Sequence, residues 1–271
     1  MRIEKMFSAL KERGVGAFMP YVCCGDPSAE FTLALIEKLV GNGADAIELG
    51  IPFSDPIADG KTIQAASSRA LDSGMTPLKA LGIVSEVRKR GIEVPILIMA
   101  YYNIVYANGG REFLKKVKEA GADGMIVPDA PLEESSELRK LCSDAGIDLI
   151  YFITPNCPDS RLKEIASVAK GFLYAVAVLG ITGEREVVAP EAIALVERAR
   201  KVTALPVVVG FGISKPSHAT SLMRAGGSGI IVGSAIVNLY SKHVGEEFDS
   251  TEALEEIGEF AKSMKGALSG K

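Results

Sequence analysis

The stretch ELGIPFSDPIADG, residues 48–60, joins an apolar run to a segment that is rich in proline and glycine. The apolar run predicts a buried strand, and the segment after it predicts a loop. Glu48 lies within the strand, and Asp55 and Asp59 lie in the loop. In sheets of parallel strands, functional side chains lie where strands end and the following loops begin, so this stretch is a candidate site.

Seven further runs of this kind occur along the chain, and amphipathic helical segments separate them. The eight predicted strands are residues 17–24, 45–52, 95–102, 124–130, 148–155, 172–178, 206–212 and 229–236. They are apolar almost throughout, as strands covered on both faces are. Eight alternating strands and helices predict an α/β fold, a single (β/α)8 TIM barrel over residues 1–271 with extra N-terminal and C-terminal helices. The alternative is an open doubly wound sheet, but the G-x-G-x-x-G turn expected after its first strand is absent.

The composition argues against several classes of protein. The chain has 271 residues and a net charge of −4, with no basic stripe for binding the phosphates of nucleic acid. No apolar run reaches the roughly 18 residues of a membrane span, and the first residues form a helical pattern rather than a signal peptide, so we expect a cytoplasmic protein without membrane contact. The four cysteines contain no C-x-x-C pair and there are two histidines, so we predict neither a disulfide nor a metal site.

Two glycine-bearing turns follow predicted strands seven and eight, GFGIS at residues 210–214 and VGSAI at 232–236. In barrels, the loops after these strands often bind phosphate through backbone N–H groups and a helix N-terminus. Glycine lets the backbone approach the anion closely, and Ser214 or Ser234 supplies a hydroxyl group. The turns therefore predict a phosphate site. The alternative is that they are ordinary turn glycines followed by serine helix caps.

The remaining chemistry depends on carboxylates and tyrosines. No lysine lies in a predicted strand to form a Schiff base, and neither histidine lies at a strand end, so general acid–base catalysis remains. Glu48 is the strongest candidate, because burial in an apolar strand raises the pKa of a carboxyl group; the alternative is a glutamate satisfied by a buried donor. Asp59 is either catalytic or a structural residue, in a turn or as a helix cap near Lys61, and Asp55 is mainly a turn former. We expect Tyr101 and Tyr102 to face opposite sides.

The stretch at residues 48–60 closely resembles the signature of the tryptophan synthase alpha chain family. The resemblance continues in order through residues 24–27, 60–64, 102–103, 127–131, 180–183, 210–214 and 233–236. It covers nearly the whole chain, and the eight predicted strands agree with the family fold. The resemblance implies a carbon–carbon lyase of tryptophan biosynthesis, which cleaves indole-3-glycerol phosphate into indole and glyceraldehyde 3-phosphate by a retro-aldol step without a cofactor.

The resemblance also implies a role for each carboxylate. Glu48 would move protons between the glycerol hydroxyl and indole C3, and Asp59 would hold the ring N–H and stabilise the positive charge that develops there. Substrate contacts are implied for Tyr21, Ile63, Met99, Tyr101, Phe152, Tyr174 and Thr182. Phosphate contacts are implied for Gly183, Gly212, Gly233 and Ser234.

The partner that the resemblance implies is a beta chain, in an alpha2-beta2 heterotetramer. That chain carries pyridoxal phosphate and receives indole through a tunnel. Its contact face on this chain is implied at Asp55, Pro56, Asn103 and Pro131. Residues 177–179 are apolar where many relatives have a polar pair, which bears on loop closure. Two alternatives stay open: another phosphate-binding barrel enzyme, such as a sugar-phosphate isomerase, an epimerase or an indole-forming synthase, and a catalytically silent barrel that only activates a beta chain.

Overall fold

Eight parallel strands form a closed barrel in chain order, as the sequence predicts. The computed structural model describes residues 1–176, 188–245, 248 and 250–269. The strands are β1 (Ala17–Cys23), β2 (Ile47–Gly50), β3 (Ile96–Met99), β4 (Gly124–Ile126), β5 (Asp148–Ile153), β6 (Leu173–Val176), β7 (Val207–Gly210) and β8 (Gly229–Val232). Each strand pairs with the next, and β8 pairs with β1 to close the barrel. The predicted fold class is therefore confirmed.

Twelve helices accompany the strands in the described part of the chain. They are α1 (Arg2–Glu12), α2 (Ala29–Gly41), α3 (Lys61–Asp72), α4 (Pro77–Lys89), α5 (Tyr102–Ala107), α6 (Arg111–Ala120), α7 (Ser136–Ala145), α8 (Asp159–Val168), α9 (Pro190–Val202), α10 (Pro216–Arg224), α11 (Ser234–Ser241) and α12 (Ser250–Gly266). The predicted terminal helices correspond to α1 and α12. Local signals set helix ends: Ser28 accepts the Phe31 N–H where α2 starts, and Gly121 ends α6 in the left-handed conformation. None of these helices is both long and apolar enough to cross a membrane.

Two of the predicted strands were extended too far, into helices. The prediction placed residues 95–102 and 229–236 in strands, whereas β3 and β8 end earlier and α5 and α11 begin within these ranges. In α11, the apolar residues Ile236, Val237 and Tyr240 are buried along the helix. A short apolar run is compatible with a buried strand or with a buried helical face, so only packing distinguishes the two.

Side chains along each strand alternate between the barrel interior and the surrounding helices. Glu48 on β2 interacts directly with Tyr174 on β6. These strands are not neighbours, so both side chains must face the interior. On β5, Phe152 packs against Tyr174, with ring centroids 4.7 Å apart, and faces the same way. Asp148, the first residue of β5, lies four residues earlier and by alternation faces the interior as well.

Helix α1 covers the end of the barrel at which the strands begin. Ile3 of this helix is fully buried. It lies against Gly124, the first residue of β4, and against Gly171, which precedes β6: a Cβ atom added at these glycines would lie 3.3 and 3.4 Å from Ile3. One end of the barrel is therefore closed by packing, and the candidate site lies at the other end, where the strands finish.

Candidate active site

Glu48 lies in the barrel interior near the carboxyl end of β2. Its side chain is 2% exposed, and Oε2 has no hydrogen-bond partner among the described residues. Burial and then the nearby charge of Asp59 raise the pKa of Glu48 to about 8, whereas a hydrogen bond from Tyr174 acts to lower it. A carboxyl group with this pKa carries a proton at neutral pH and can also release it.

Asp59 lies in the loop after β2 and is held there by Tyr101. The Tyr101 hydroxyl donates to Oδ2 of Asp59 at 2.9 Å and accepts the Ala58 N–H at 3.0 Å. The Tyr101 ring stacks on Phe53 with ring centroids 5.1 Å apart, and Nε2 of Gln64 donates to the Asp59 carbonyl at 2.8 Å. Burial raises the pKa of Asp59 to about 6, and the bond from Tyr101 acts to lower it. Asp59 is therefore mostly ionised at neutral pH.

The helix-cap alternative for Asp59 and the satisfied-donor alternative for Glu48 do not agree with the geometry, whereas Asp59 does lie in a turn, in which its N–H donates to the Pro56 carbonyl at 3.0 Å. The N-cap of α3 is Gly60, so Asp59 does not cap this helix. For Glu48, the alternative requires buried donors that satisfy the carboxyl group. In the described part of the chain, one of its oxygens has none. The expectation for the tyrosine pair holds in part: Tyr101 is buried against Asp59, whereas Tyr102 is exposed in α5.

Two tyrosines each lie over the glycine that ends the next strand of the barrel: Tyr21 of β1 over the end of β2, and Tyr174 of β6 over the end of β7. A Cβ atom added at Gly50 would lie 2.2 Å from the Tyr21 hydroxyl, and one added at Gly210 would lie 2.4 Å from the Tyr174 hydroxyl. A side chain at either glycine would displace the tyrosine ring. Both rings are buried, and burial raises the pKa of each hydroxyl well above its ordinary value, with both carboxylates adding to the shift. The two hydroxyl groups are therefore neutral hydrogen-bond donors beside the carboxylates.

Three apolar residues predicted to contact substrate lie around this pair of tyrosines or near Asp59. Phe152 packs on Tyr174. Met99 ends β3, is buried, and pairs in register with Gly50, over which Tyr21 lies. Ile63 is buried in the first turn of α3, which begins just after Asp59. The interior beside the carboxylates is therefore apolar and aromatic.

Phe211 is a residue of this region that the sequence prediction missed. Its ring centroid lies 5.9 Å from that of Tyr174. Its φ of 68° is uncommon for a residue other than glycine, and such conformations cluster at functional sites. A signal is present in the sequence, because an aromatic residue lies between two glycines in the GFGIS turn, but only the glycines suggested a function.

The predicted phosphate contacts in the described part of the chain lie in the turns after β7 and β8. Gly212 has a φ of 75°, a left-handed conformation that glycine adopts readily. Gly233 is the N-cap of α11, and the exposed Ser234 is its first residue. The first N–H groups of a helix have no partner within it, so this end can receive an anion. The predicted residues that lie outside the described ranges are Thr182, Gly183 and residues 177–179.

The predicted partner contacts lie in neighbouring segments at the carboxyl end of the barrel: Asp55 and Pro56 in the loop after β2, Asn103 in α5 after β3, and Pro131 in the loop after β4. Large apolar side chains are exposed in the same region. Ile57, in the loop after β2, is 83% exposed, and Tyr106 of α5 is 72% exposed. The Tyr106 ring stacks on that of the exposed Tyr102, with ring centroids 6.5 Å apart, and adjoining exposed apolar side chains are typical of surfaces that bind another protein.

A cavity of about 220 Å³ lies between β5 and the loop after β4. Its lining includes Pro128, Pro131, Tyr151 and Phe152, but neither Glu48 nor Asp59 belongs to it. Phe152 therefore borders both this cavity and the interior that contains Tyr174. The cavity adjoins the candidate site and does not coincide with it.

Metal and thiol chemistry find little support in the described residues. Among them, no group of three or more histidine, cysteine, aspartate or glutamate side chains is arranged to hold a metal ion. All four cysteines are buried free thiols, and burial raises the pKa of Cys23 and Cys142 to about 12. These thiols are protonated at neutral pH, so they are poor nucleophiles.

The candidate site therefore combines two carboxyl groups in different protonation states. Glu48 is mostly protonated at neutral pH, and Asp59 is mostly ionised, because their pKa values are about 8 and about 6. Such a pair can supply one group that transfers a proton and another that stabilises positive charge. The surrounding apolar interior strengthens both effects by excluding water.

Comparisons with known proteins identify relatives over nearly the whole chain. The model of the tryptophan synthase alpha chain family matches residues 7–268. The tryptophan synthase alpha chain of Methanocaldococcus jannaschii is 46% identical over 246 residues, which are 91% of this chain and 87% of that protein. That of Methanoregula boonei is 44% identical over 266 residues, 98% of each chain. A chain in the solved structure of the tryptophan synthase complex from Pyrococcus furiosus is 39% identical, with a TM-score of 0.83 and coverage of 93% of this chain and 98% of that one.

Proposed function

The chain belongs to the tryptophan synthase alpha chain family, and we propose that Glu48 and Asp59 carry out the reaction of this family. The protein is a carbon–carbon lyase of tryptophan biosynthesis that cleaves indole-3-glycerol phosphate into indole and glyceraldehyde 3-phosphate. The observation that carries the proposal is the buried Glu48 carboxyl group. Its Oε2 atom has no partner among the described residues, and its pKa is raised to about 8.

Glu48 moves the protons that this cleavage requires. It enters the reaction protonated and gives its proton to indole C3. The resulting carboxylate takes the proton of the hydroxyl group on the carbon bonded to C3, the carbon–carbon bond breaks, and its electron pair returns to the ring. The hydroxyl carbon becomes the aldehyde carbon of glyceraldehyde 3-phosphate, and Glu48 is protonated again. General acid–base catalysis of this kind contributes typically 10²–10⁴-fold.

Asp59 stabilises the intermediate that Glu48 creates. Protonation at C3 leaves positive charge on the ring nitrogen, and an ionised Asp59 accepts a hydrogen bond from that N–H. Tyr101 and Gln64 orient Asp59 before substrate binds, since one donates to its side chain and the other to its carbonyl. A charge fixed in advance needs no reorganisation when the transition state forms, so it acts mainly on the rate.

The rest of the substrate is held by the walls and turns around the two carboxylates. The indole ring lies among Tyr21, Met99 and Phe152, with Ile63, Tyr174 and Thr182 completing the substrate contacts. The phosphate group lies at the turns after β7 and β8. Its proposed contacts are Gly183, Gly212, Gly233 and Ser234. The apolar interior and the free end of α11 support this orientation.

The partner is a beta chain in an alpha2-beta2 heterotetramer, bound at the face that contains Asp55, Pro56, Asn103 and Pro131. The exposed Ile57 and the similarity to a chain of the complex from Pyrococcus furiosus support this proposal. Pyridoxal phosphate would belong to that partner, because the two carboxylates complete the lyase step without a cofactor. The cytoplasmic location and the single domain over residues 1–271 stay predictions.

Indole release from indole-3-glycerol phosphate, measured for the purified protein with and without a beta chain, tests this function. We expect the beta chain to accelerate release and Glu48→Gln to lower it on the order of 10²–10⁴-fold. Glycerol 3-phosphate should bind the variant as it binds the parent, because the phosphate turns are unchanged. Parental turnover in Glu48→Gln would remove its role. No release by the parent, with phosphate binding intact, would favour a silent barrel.

Ser234→Asp tests the phosphate subsite separately. An aspartate in the first turn of a helix is favourable for the helix, so the Tm should hold. Its charge repels the phosphate group, so the affinity for glycerol 3-phosphate should fall roughly tenfold or more. Unchanged affinity would place the phosphate group elsewhere.

A further inference from the structure

A partly buried side-chain network joins the loop after β1 to α3 and α11. Asp26 lies in this loop and is 0% exposed. Its two carboxylate oxygens accept hydrogen bonds from Nε and Nη2 of Arg69, on α3, at 2.8 and 2.7 Å. The Tyr240 hydroxyl, on α11, donates to Oδ2 of the same carboxylate at 2.7 Å. Nη2 of Arg69 also donates to Oγ of Ser241, the last residue of α11, at 2.9 Å.

The two helices that this network joins both begin at the proposed site. Helix α3 begins at Lys61, two residues after Asp59, and α11 begins at Ser234. Arg69 lies in the third turn of α3, and its partner Ser241 lies two turns into α11. A helix of two or three turns moves as a unit, so a fixed contact between the two helices also fixes the distance between their N-termini.

We propose that Arg69 is a positioning residue of the lyase reaction, which sets the separation between Asp59 and the phosphate subsite through Asp26, Tyr240 and Ser241. The inference rests on the proposed function, because it requires one substrate to contact Asp59 and Ser234 at opposite ends. Such a substrate reacts efficiently only when both ends fit at once, and a misplacement of about 1 Å costs ~10²-fold in rate.

The chemistry of arginine suits this task. The planar guanidinium group grips both oxygens of Asp26 and still reaches Ser241. A lysine keeps the charge but cannot hold two partners in a fixed fork, so it would pair with Asp26 and leave α11 less constrained. The loop that carries Asp26 is itself anchored on α2, since the N–H of the neighbouring Gly25 donates to Oγ1 of Thr32 at 2.9 Å.

The test separates positioning from folding with a double variant, Tyr240→Phe with Ser241→Ala. It keeps the Asp26–Arg69 ion pair and removes only the two hydrogen bonds from the network to α11. We expect kcat/KM for indole-3-glycerol phosphate to fall roughly tenfold, and kcat itself to fall as well. The affinity for glycerol 3-phosphate, which contacts only the phosphate subsite, should stay within about twofold of the parent. Arg69→Lys should show the same pattern.

The matched control is Arg88→Lys at the opposite end of the barrel. Nη2 of Arg88 pairs with the buried Asp123 at 2.9 Å and its other nitrogens donate to backbone carbonyls, so this arginine is as constrained as Arg69. Arg88→Lys should lower the Tm and leave kcat and KM unchanged. A purely structural role of Arg69 would give the same result as this control.

Parental kcat and KM in the folded double variant would overturn the inference. A parallel loss of glycerol 3-phosphate affinity would also overturn it, because it would indicate local damage to α11 rather than a change of separation. If Arg69→Lys does not fold, the double variant decides alone. If the parent protein itself fails to cleave the substrate, or Ser234→Asp does not weaken phosphate binding, the proposed function fails and this inference with it.

Discussion

The two ends of the barrel each contain a buried carboxyl group, Glu48 where the strands finish and Asp148 where β5 starts. Both side chains are 2% exposed, and each has one oxygen without a hydrogen-bond partner among the described residues. Burial is the main cause that raises the pKa of each group. By burial and by the direction of their pKa shifts the two groups are alike, yet only one of them is proposed to act on substrate.

Their surroundings explain the difference. Glu48 faces Asp59 and Tyr174 in the part of the barrel that is bordered by the strand-end loops. Asp148 lies beneath α1, where Oδ2 would be 3.6 Å from a Cβ atom at Gly171 and Ile3 fills the space between the strand starts. Among the described residues, α1 covers that end of the barrel. A buried carboxylate in an apolar strand therefore indicates catalysis only where the strand finishes.

The largest expected effect is on turnover, and it tests the difference between the two ends of the barrel. We expect Asp59→Asn to lower kcat roughly 10²-fold with little change in KM, because its charge matters most when the ring nitrogen becomes cationic. The same chemical change at the other end, Asp148→Asn, should leave both constants unchanged. Steady-state kinetics of indole release measures both variants. A normal kcat in Asp59→Asn, or a reduced one in Asp148→Asn, would contradict the division between the two ends.

The pH profile of the reaction sharpens the comparison at the functional end. We expect kcat/KM to rise with a pKa of about 6, as Asp59 ionises, and to fall with a pKa of about 8, as Glu48 loses its proton. Tyr101→Phe removes the hydrogen bond that lowers the pKa of Asp59, so the acidic limb should move to higher pH. The alkaline limb should stay in place in that variant. A profile without two limbs would mean that ionisation of these two carboxyl groups does not control the reaction.

The smallest expected effect is on stability and belongs to the closed end. Because burial raises the pKa of Asp148, the folded state holds its proton more strongly than the unfolded chain does. Ionisation above the ordinary aspartate pKa of about 3.9 therefore favours the unfolded chain, and stability is lost as pH rises until Asp148 itself ionises. Asp148→Asn removes this loss, so its free energy of unfolding relative to the parent should increase from pH 4 to neutral pH.

Urea unfolding of parent and variant at several pH values measures this difference. The charges that act on Asp148 are those of Lys170, Lys118 and the amino terminus, which oppose the shift, and of Asp123, which adds to it. Asp72→Asn makes the same chemical change at an exposed position of α3 and is the matched control. If the free energy of unfolding of Asp148→Asn depends on pH as that of the parent does, ionisation of Asp148 does not destabilise the folded state.

Much of the fold and part of the site follow from short stretches of the sequence. Runs of apolar residues between glycines and prolines predict all eight strands, because a strand covered on both faces excludes polar side chains. The position of Glu48 in such a run predicts its raised pKa, since desolvation follows from burial. The glycines at positions 212 and 233 predict turns, and the backbone at Gly212 is left-handed.

Other features depend on contacts between residues far apart in the sequence. The end of β8 was predicted wrongly because the apolar side of α11 is a property of packing. Phe211 belongs to the site only because β7 lies beside β6. The function of Arg69 depends on partners that are 43 and 172 residues away.

The sequence by itself determined the strands and the buried carboxylate, because local periodicity and desolvation act within a few residues. The tertiary structure alone decided which end each carboxylate occupies and which side chains hold the helices in place, because closing the barrel is what brings those residues together.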